Sequence, residues 1–267
     1  MRRGEHVFLA IAGLMVCLAA WWALARLGRE AEDETWARIQ REGVMRVGMD
    51  ASWPPFEYVE GDEIVGFDVD LAREIGERLG VRVELVNAGF DGLYDALQAG
   101  RFDAIVSALP YDPTLTEDVA YSISYFDAGQ VLVVRASEGE IRGAKDLAGK
   151  RLGVEWGSEG DMQGRKLQKK IEGLTLQPYM SPRDVLQALK NSEVDAALVD
   201  AVSALQFIGS EGGVRIVGHP LTDERYVVAV HPESHVLLEA INGALAEMRK
   251  DGTLDRLREK WFGGNLS

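Results

Sequence analysis

A regular alternation of strand-like and helix-like segments most strongly constrains how this chain can fold. The segment Met45 to Met49 alternates apolar and polar side chains, which is typical of a strand. Leu71, Ile75 and Leu79 then recur at helical spacing, and Gly80 follows where a helix commonly ends. Because strands joined through helices pair in parallel with right-handed crossovers, this part of the chain predicts a parallel α/β sheet.

The same pattern restarts in the middle of the chain. Strands are predicted at Arg151 to Glu155 and Asp195 to Val199, with a helix from Pro182 to Lys190 between them. Two extended apolar segments, Val131 to Val134 and Tyr226 to Val230, lead into and out of this region. We therefore expect a second α/β lobe that is joined to the first by two hinge strands.

These observations predict an α/β chain with two lobes and two hinge strands, preceded by an apolar amino-terminal helix. Helical stripes after the second crossing are expected to pack back on the first lobe. The predicted organisation has five parts: residues 1–28 are a signal peptide or membrane anchor, 29–42 a linker, 43–133 the first part of lobe 1, 134–225 lobe 2, and 226–267 the second part of lobe 1.

The amino-terminal segment predicts export. Arg2 and Arg3 precede Val7 to Ala25, a run without charged residues, as in a secretory signal or a membrane anchor. The small residues Ala23 and Ala25 favour cleavage after this run. Its length, close to the roughly 20 residues that span a bilayer, favours retention as an anchor, so both interpretations stay open.

Composition excludes several classes of function. The formal charge of −14 and the pI of about 4.8 disfavour nucleic acid as a partner. Cys17 is the only cysteine, so no disulfide can form within the chain. The four histidines match no zinc-binding spacing, and we therefore predict no metal and no cofactor.

Three stretches resemble one known family. They are Arg46 to Tyr58 (RVGMDASWPPFEY), Val65 to Leu109, and Asp251 to Gly264 (DGTLDRLREKWFGG). Together they resemble bacterial extracytoplasmic solute-binding proteins of family 3, which serve polar amino-acid ABC transporters. The resemblance implies a type II periplasmic-binding-protein fold, a monomer outside the cytoplasm, and binding of a small polar solute for an ABC permease rather than catalysis.

Candidate ligand-binding residues follow from the predicted strand ends, because ligands of open α/β sheets bind beyond the carboxyl ends of the strands. These positions also match ligand-contacting positions of the family that the chain resembles. The candidates are Asp50, Trp53, Phe90, Ser107, Ala108, Pro110, Ser158, Glu159 and Asp200.

Each candidate also has a structural interpretation. Asp200 and Ser158 suit helix N-caps, Asp50 suits a turn, and Trp53 and Phe90 suit core packing. Asp68, in a nearby acidic pair, is interpreted as a helix cap rather than as part of a metal or acid/base site.

The chain departs from the family pattern where that pattern binds a ligand's α-carboxylate. Leu115 stands where the family usually carries an arginine, and Glu159 stands where a threonine is common. Since a carboxylate without a partner is costly to bury, these changes favour a cationic ligand such as a basic amino acid or an amine. Arg183, at the start of a second-lobe helix, is a candidate substitute clamp, although a surface position is the favoured interpretation.

Two other functions stay open. The resemblance includes dehydratase relatives, in which Glu159 or Asp200 would act as acid or base, but the sequence places no histidine or nucleophile beside them. A ligand sensor tethered to the membrane is the other alternative. Without a kinase segment or a second apolar run, the sequence favours a stand-alone receptor.

Overall fold

A computed structural model of the chain describes residues 33–263. The predicted signal peptide or anchor over residues 1–28 lies outside the described residues. Between residues 33 and 263, no helix combines the length and the apolar content that crossing a bilayer requires.

The first lobe begins with a helix and contains most of one mixed sheet. Its elements, in chain order, are α1 (Glu34–Glu42), β1 (Val44–Met49), β2 (Ser52–Trp53), β3 (Glu57–Glu60), β4 (Glu63–Val65), α2 (Phe67–Leu79), β5 (Arg82–Asn87), α3 (Leu93–Gln98), β6 (Ala104–Ile105) and β7 (Ala120–Tyr121).

The chain then crosses to the second lobe and returns. The outward crossing is β8 (Phe126–Asp127), and the second lobe contains β9 (Gln130–Arg135), β10 (Arg151–Glu155), α4 (Glu159–Gln168), β11 (Thr175–Tyr179), α5 (Pro182–Lys190), β12 (Ala196–Asp200), α6 (Ala201–Glu211) and β13 (Val214–Val217). The return crossing is β14 (Arg225–Tyr226), and β15 (Ala229–Val230), α7 (His235–Lys250) and α8 (Thr253–Phe262) complete the first lobe.

The two lobes have matching sheets, which confirms the predicted two-lobe α/β fold. The first sheet has the order β5-β1-β6-β15-β7, and the second has the order β11-β10-β12-β9-β13. In each sheet the first three strands are parallel, and the fourth runs antiparallel to its neighbours. The carboxyl ends of the parallel strands therefore form one edge in each lobe, where loops can carry a ligand site.

The crossing between the lobes differs from the sequence prediction. Val131 to Val134 lies inside β9, which pairs with β12 and β13 in the second sheet and is buried throughout its apolar part. The hinge is instead the antiparallel pair of β8 and β14, in which Phe126 lies opposite Tyr226. The outward crossing at β8 therefore precedes the predicted segment Val131 to Val134. Of the second predicted segment, Tyr226 lies in the return crossing β14, whereas Ala229 and Val230 form β15 of the first sheet.

Residues 34–42, which the sequence assigned to a linker, form helix α1. Asp33 caps this helix by accepting a hydrogen bond of 2.8 Å from the backbone N–H of Trp36. Ile39 is fully buried in the first-lobe core, so this part of the predicted linker belongs to the lobe itself.

The carboxyl-terminal helices pack on the first lobe, as the sequence predicts. Their buried residues Leu237, Ile241, Leu245 and Leu254 join the same core as Val47 of β1. Helix α8 also contacts the second lobe.

That contact between α8 and α6 depends on a glycine. A Cβ on Gly209 would lie 2.1 Å from the carbonyl oxygen of Phe262, so only glycine lets α6 approach α8 this closely. The lobes therefore meet at a helix contact as well as at the hinge strands.

Candidate functional site

A cavity of about 330 Å³ opens at the carboxyl ends of β1 and β6 in the first lobe. Asp50 follows β1 directly, and Ser107 lies just beyond β6. The lining residues, all within the described range 33–263, include two acids and no lysine or arginine. They are Asp50, Ser52, Trp53, Glu57, Phe90, Ser107, Ala108, Pro110 and Tyr226.

Asp50 fixes the backbone around this cavity. Its N–H donates a hydrogen bond of 2.9 Å to the Ser107 hydroxyl, and its Oδ2 accepts one of 2.9 Å from the N–H of Phe90. The carboxylate does not stabilise the adjacent turn, as the structural interpretation predicted, because the hydrogen bond it accepts comes from Phe90 on another loop. It also lines the cavity. Asp50 therefore ties its own loop to Ser107 through its backbone and to Phe90 through its carboxylate, which also supplies a negative charge to the cavity.

Two aromatic rings stand at the cavity with much of their surface in solvent. Trp53 is 57% exposed and Phe90 is 43% exposed, so neither is the core residue that the structural interpretation predicted. Pro110, also exposed, pairs with Tyr226 of the hinge through an isolated β-bridge. Exposed aromatic faces of this kind can stack on a ligand or attract a cation.

Two buried carboxyl groups lie at the base of the cavity, where Glu57 contributes to the lining and Asp68 does not. Glu57 and Asp68 are 1% and 0% exposed, and each has one buried oxygen without a hydrogen-bond partner among the described residues. Asp68 Oδ2 accepts hydrogen bonds from the Ala108 N–H and, at 2.8 Å, from the Tyr125 hydroxyl. Glu57 Oε1 accepts one of 2.8 Å from the Ser107 hydroxyl.

Burial raises the pKa of both carboxyl groups. For Glu57, burial is reinforced by the neighbouring charge of Asp68. For Asp68, burial outweighs the hydrogen bonds from Ala108 and Tyr125, which act in the opposite direction on its pKa. A proton shared between the two groups would satisfy both unpartnered oxygens and relieve their repulsion.

The interpretation of Asp68 as a helix cap is wrong. Helix α2 begins at Phe67 after Gly66, so Asp68 is the second residue of the helix. Its carboxyl group points into the protein, because it bonds Ala108 at the cavity and the buried Tyr125.

In the second lobe, Ser158 and Asp200 are the N-caps of α4 and α6. Ser158 Oγ accepts from the N–H of Asp161 at 3.2 Å, and Asp200 Oδ1 accepts from the N–H of Ser203 at 2.8 Å. Glu159 Oε1 accepts from Gln163 at 2.6 Å. The structural interpretations of both caps therefore hold, and they leave open a ligand role for the second oxygen of Asp200.

Charged residues from both lobes act on the hydroxyl of Tyr226. Burial is the main cause that raises the pKa of this hydroxyl. The negative charges of Glu224, Asp200, Asp68 and Glu57 raise it further. Asp200 of the second lobe thus acts on a residue that lines the first-lobe cavity. The pKa of Glu224 is likewise raised, by burial first and then by Asp200 and Asp127.

Two positions of interest lie elsewhere. Leu115 sits in a 3₁₀ turn and packs on a satellite core with Leu93 and Val119, outside the set of residues that line the cavity. Arg183 forms an ion pair of 2.6 Å with Glu211 on the second lobe, which matches the surface interpretation rather than a substitute clamp.

Sequence reasoning missed Ser52, Glu57 and Tyr226 as cavity residues. Glu57 lies in the small antiparallel sheet β2-β3-β4, and its neighbour Phe56 is fully buried. A signal was present for Tyr226, since it begins the predicted return crossing. Nothing in the local sequence marks Glu57, because its burial depends on a distant partner, Asp68.

The fold and site define a two-lobe binding protein with a solvent-exposed cavity at the strand ends of one lobe. The family model for bacterial extracellular solute-binding proteins, family 3, matches residues 45–264. The chain belongs to this family, whose members named below serve as amino-acid binding proteins.

Individual relatives agree with this assignment. The chain is 31% identical over 234 residues to the L-cystine-binding protein TcyJ of Escherichia coli K12, covering 86% of each chain. It is 30% identical over 220 residues to the arginine-binding extracellular protein ArtP of Bacillus subtilis, covering 82% of this chain and 86% of that protein.

A solved structure matches both lobes at once. The L-cystine solute receptor of Neisseria gonorrhoeae, in its unliganded open conformation, is 26% identical with a TM-score of 0.74, covering 86% of this chain and 97% of that chain. The chain is therefore a solute-binding protein with the lobe architecture of amino-acid receptors.

Proposed function

We propose that this protein binds a small cationic solute outside the cytoplasm and delivers it to an ABC-type permease. The observation that carries the proposal is the charge of the cavity. Asp50 lines it, Asp200 lies within electrostatic range of its floor, and none of its lining residues is a lysine or arginine. A cationic amino acid or an amine complements such a site.

The exposed rings of Trp53 and Phe90 support the same ligand class. A cation over an aromatic face gains about 0.5–2 kcal/mol, depending on how far it is desolvated. The open cavity in the first lobe and the helix N-termini of the second lobe would then close on the solute. Closure follows only if the solute binds the closed state more tightly than the open one.

A thermal-shift screen tests the ligand class. The panel contains L-arginine, L-lysine, putrescine, choline, L-cystine and L-glutamate, each at the same concentration. We expect the cationic compounds to raise the melting temperature and L-glutamate to leave it unchanged. A larger stabilisation by L-glutamate or L-cystine than by every cation would refute the proposal.

Matched variants test whether the acidic residues at the cavity bind the cation. Asp50→Asn and Asp200→Asn should each weaken binding of the best cation, whereas Asp62→Asn should not, because Asp62 is an exposed turn residue away from the cavity. Chromatography of the released solute distinguishes binding from catalysis. Recovery of the unaltered compound supports a receptor, and conversion to a product supports the dehydratase-like alternative.

We further infer that residues 1–28 direct export and that the receptor acts as a monomer. The support is the charge pattern of the amino-terminal sequence and the extracellular description of the family. Cell fractionation tests location and anchoring together, since a cleaved protein is released with the soluble envelope fraction and an anchored one stays with the membrane. Light scattering of the purified protein tests the monomer.

A further inference from the structure

A second cavity, of about 470 Å³, lies behind the hinge and is separate from the cavity at the strand ends. Phe126 and Arg258 of the first lobe line one part of this cavity, and residues of the second-lobe sheet and loops line the rest. The lining residues are Phe126, Asp127, Val131, Arg142, Ala201, Arg215, Ile216, Val217, Gly218, His219, Pro220 and Arg258.

This hinge cavity has the opposite charge balance to the solute cavity. Three arginines and one histidine line it, and Asp127 is its only acid. Asp127 Oδ1 already accepts hydrogen bonds from the N–H groups of Gly129 and Glu224, at 2.9 and 3.2 Å.

Arg258 of α8 is incompletely satisfied at this position. Its Nη2 donates to the carbonyl of Tyr125 at 2.9 Å, and its Nη1 pairs with Asp255 at 3.0 Å. Its Nε is buried and has no hydrogen-bond partner among residues 33–263. Burial lowers the pKa of Arg258, and the charge of Arg249 acts in the same direction, whereas Asp255 opposes the shift through its charge and its hydrogen bond.

The remaining wall is apolar and would strengthen an interaction with charge. Phe126, Val131 and Val217 are buried, and the Arg258 guanidinium lies 5.8 Å from the centre of the Phe126 ring. Charged groups attract more strongly where apolar walls reduce the local dielectric constant, which here applies to Arg258, since Arg142 and Arg215 are exposed. Guanidinium groups also bind the oxygens of phosphate or carboxylate in a two-pronged geometry.

We propose that the hinge cavity is a binding site for a compact oxyanion, with Arg142, Arg215 and Arg258 supplying the positive charge. The site is independent of the solute cavity, and its occupation does not require the proposed function to be correct. Because its wall includes both lobes, its shape depends on the angle between them.

Titration of the purified full chain with inorganic phosphate tests this site, with sodium chloride at matched ionic strength as the salt control. We expect saturable binding by calorimetry and a saturable rise in melting temperature. The double variant Arg142→Gln/Arg215→Gln should weaken phosphate binding at least tenfold. Both side chains belong to exposed residues, so the variant is expected to fold.

Arg82→Gln is the matched control, since its side chain is 66% exposed and lies outside the cavity. It should bind phosphate as the unmodified chain does. Arg258→Lys keeps the positive charge but removes the planar guanidinium group that can form two parallel hydrogen bonds, so it should also weaken phosphate binding. Circular dichroism checks that this variant is folded. A response to phosphate no larger than to chloride, or equal binding by the double variant, would overturn the proposal.

Discussion

The hydroxyl of Ser107 donates a hydrogen bond of 2.8 Å to Glu57, joining the floor of the solute cavity to a buried pair of carboxyl groups. The same hydroxyl accepts from the N–H of Asp50, which lines the cavity. Asp68, the second member of the pair, accepts a hydrogen bond from the N–H of Ala108, which also lines the cavity. The protonation of the pair and the shape of the cavity floor are therefore linked.

This link predicts how Glu57→Gln changes stability with pH. Burial raises the pKa of Glu57 in the folded state above its ordinary value of 4.5, so the folded state holds a proton that the unfolded state releases. Stability is then greatest at acidic pH and falls as the pH rises. Glutamine needs no proton, and the variant should be more stable than the unmodified chain by about 1–3 kcal/mol near pH 8.

Urea unfolding at several pH values measures this effect. The difference between the two proteins should shrink toward about pH 5, where an ordinary glutamate begins to hold its own proton. Glu60→Gln, an exposed change in the same small sheet, is the control and should show no such trend. If the two proteins differed in free energy of unfolding by the same amount at every pH, Glu57 would not retain a proton in the folded state.

Trp53→Ala should weaken solute binding without unfolding the protein. The ring is 57% exposed, so its removal costs little core packing. A lost cation–aromatic contact of about 0.5–2 kcal/mol corresponds to a loss of roughly 2- to 30-fold in affinity. Calorimetry with the best cation of the screen measures it. Val59→Ala, which also removes exposed apolar surface but outside the cavity, should bind normally.

Leu115→Arg should change ligand preference toward α-amino acids. Leu115 itself lies outside the cavity lining, but the resemblance to family 3 implies an arginine at this position, and a guanidinium binds a carboxylate through two charge-assisted hydrogen bonds. We expect affinity for L-arginine to rise about tenfold, which is roughly 1.4 kcal/mol, relative to putrescine. Leu115→Met, which keeps the packing against Leu93, is the control. Equal gains for the amino acid and the diamine would argue against carboxylate binding.

Gly209→Ala should destabilise the contact between α6 and α8. The new Cβ would meet the Phe262 carbonyl at 2.1 Å, and overpacking of this kind costs about 1–3 kcal/mol. Gly243→Ala in α7 is a matched control because nothing lies within 4 Å of its Cβ position. That change should stabilise the protein by about 0.5–1 kcal/mol, since alanine favours helix. Thermal unfolding compares the two.

The sequence predicted the elements that local pattern determines. The helix that carries Leu71, Ile75 and Leu79 and the helix from Pro182 to Lys190 form as expected, because each buries one apolar face. The clustering of Asp50 with Ser107 also followed from strand order alone. These features need only periodicity and the parallel arrangement of strands.

Features that depend on tertiary partners were not predictable in the same way. Four consecutive apolar residues from Val131 fit a hinge strand and a central strand equally well, and only the pairing of β9 distinguishes them. Helix α1 packs on the first lobe because Ile39 is buried in the core of that lobe, and this contact is not visible in the local sequence. The pairing of Glu57 with Asp68 requires two elements to meet, so neither residue reveals it locally.

Asp33 caps α1 and also accepts a hydrogen bond of 3.0 Å from the N–H of Leu237, at the start of α7. Both helices lie beside the amino-terminal ends of the parallel strands, whereas the solute cavity opens at their carboxyl ends. The described chain thus enters its fold on the side facing away from the mouth. A support coupled to the amino-terminal side of Asp33, whether a sensor chip or a lipid layer, would leave that mouth free to sample its surroundings.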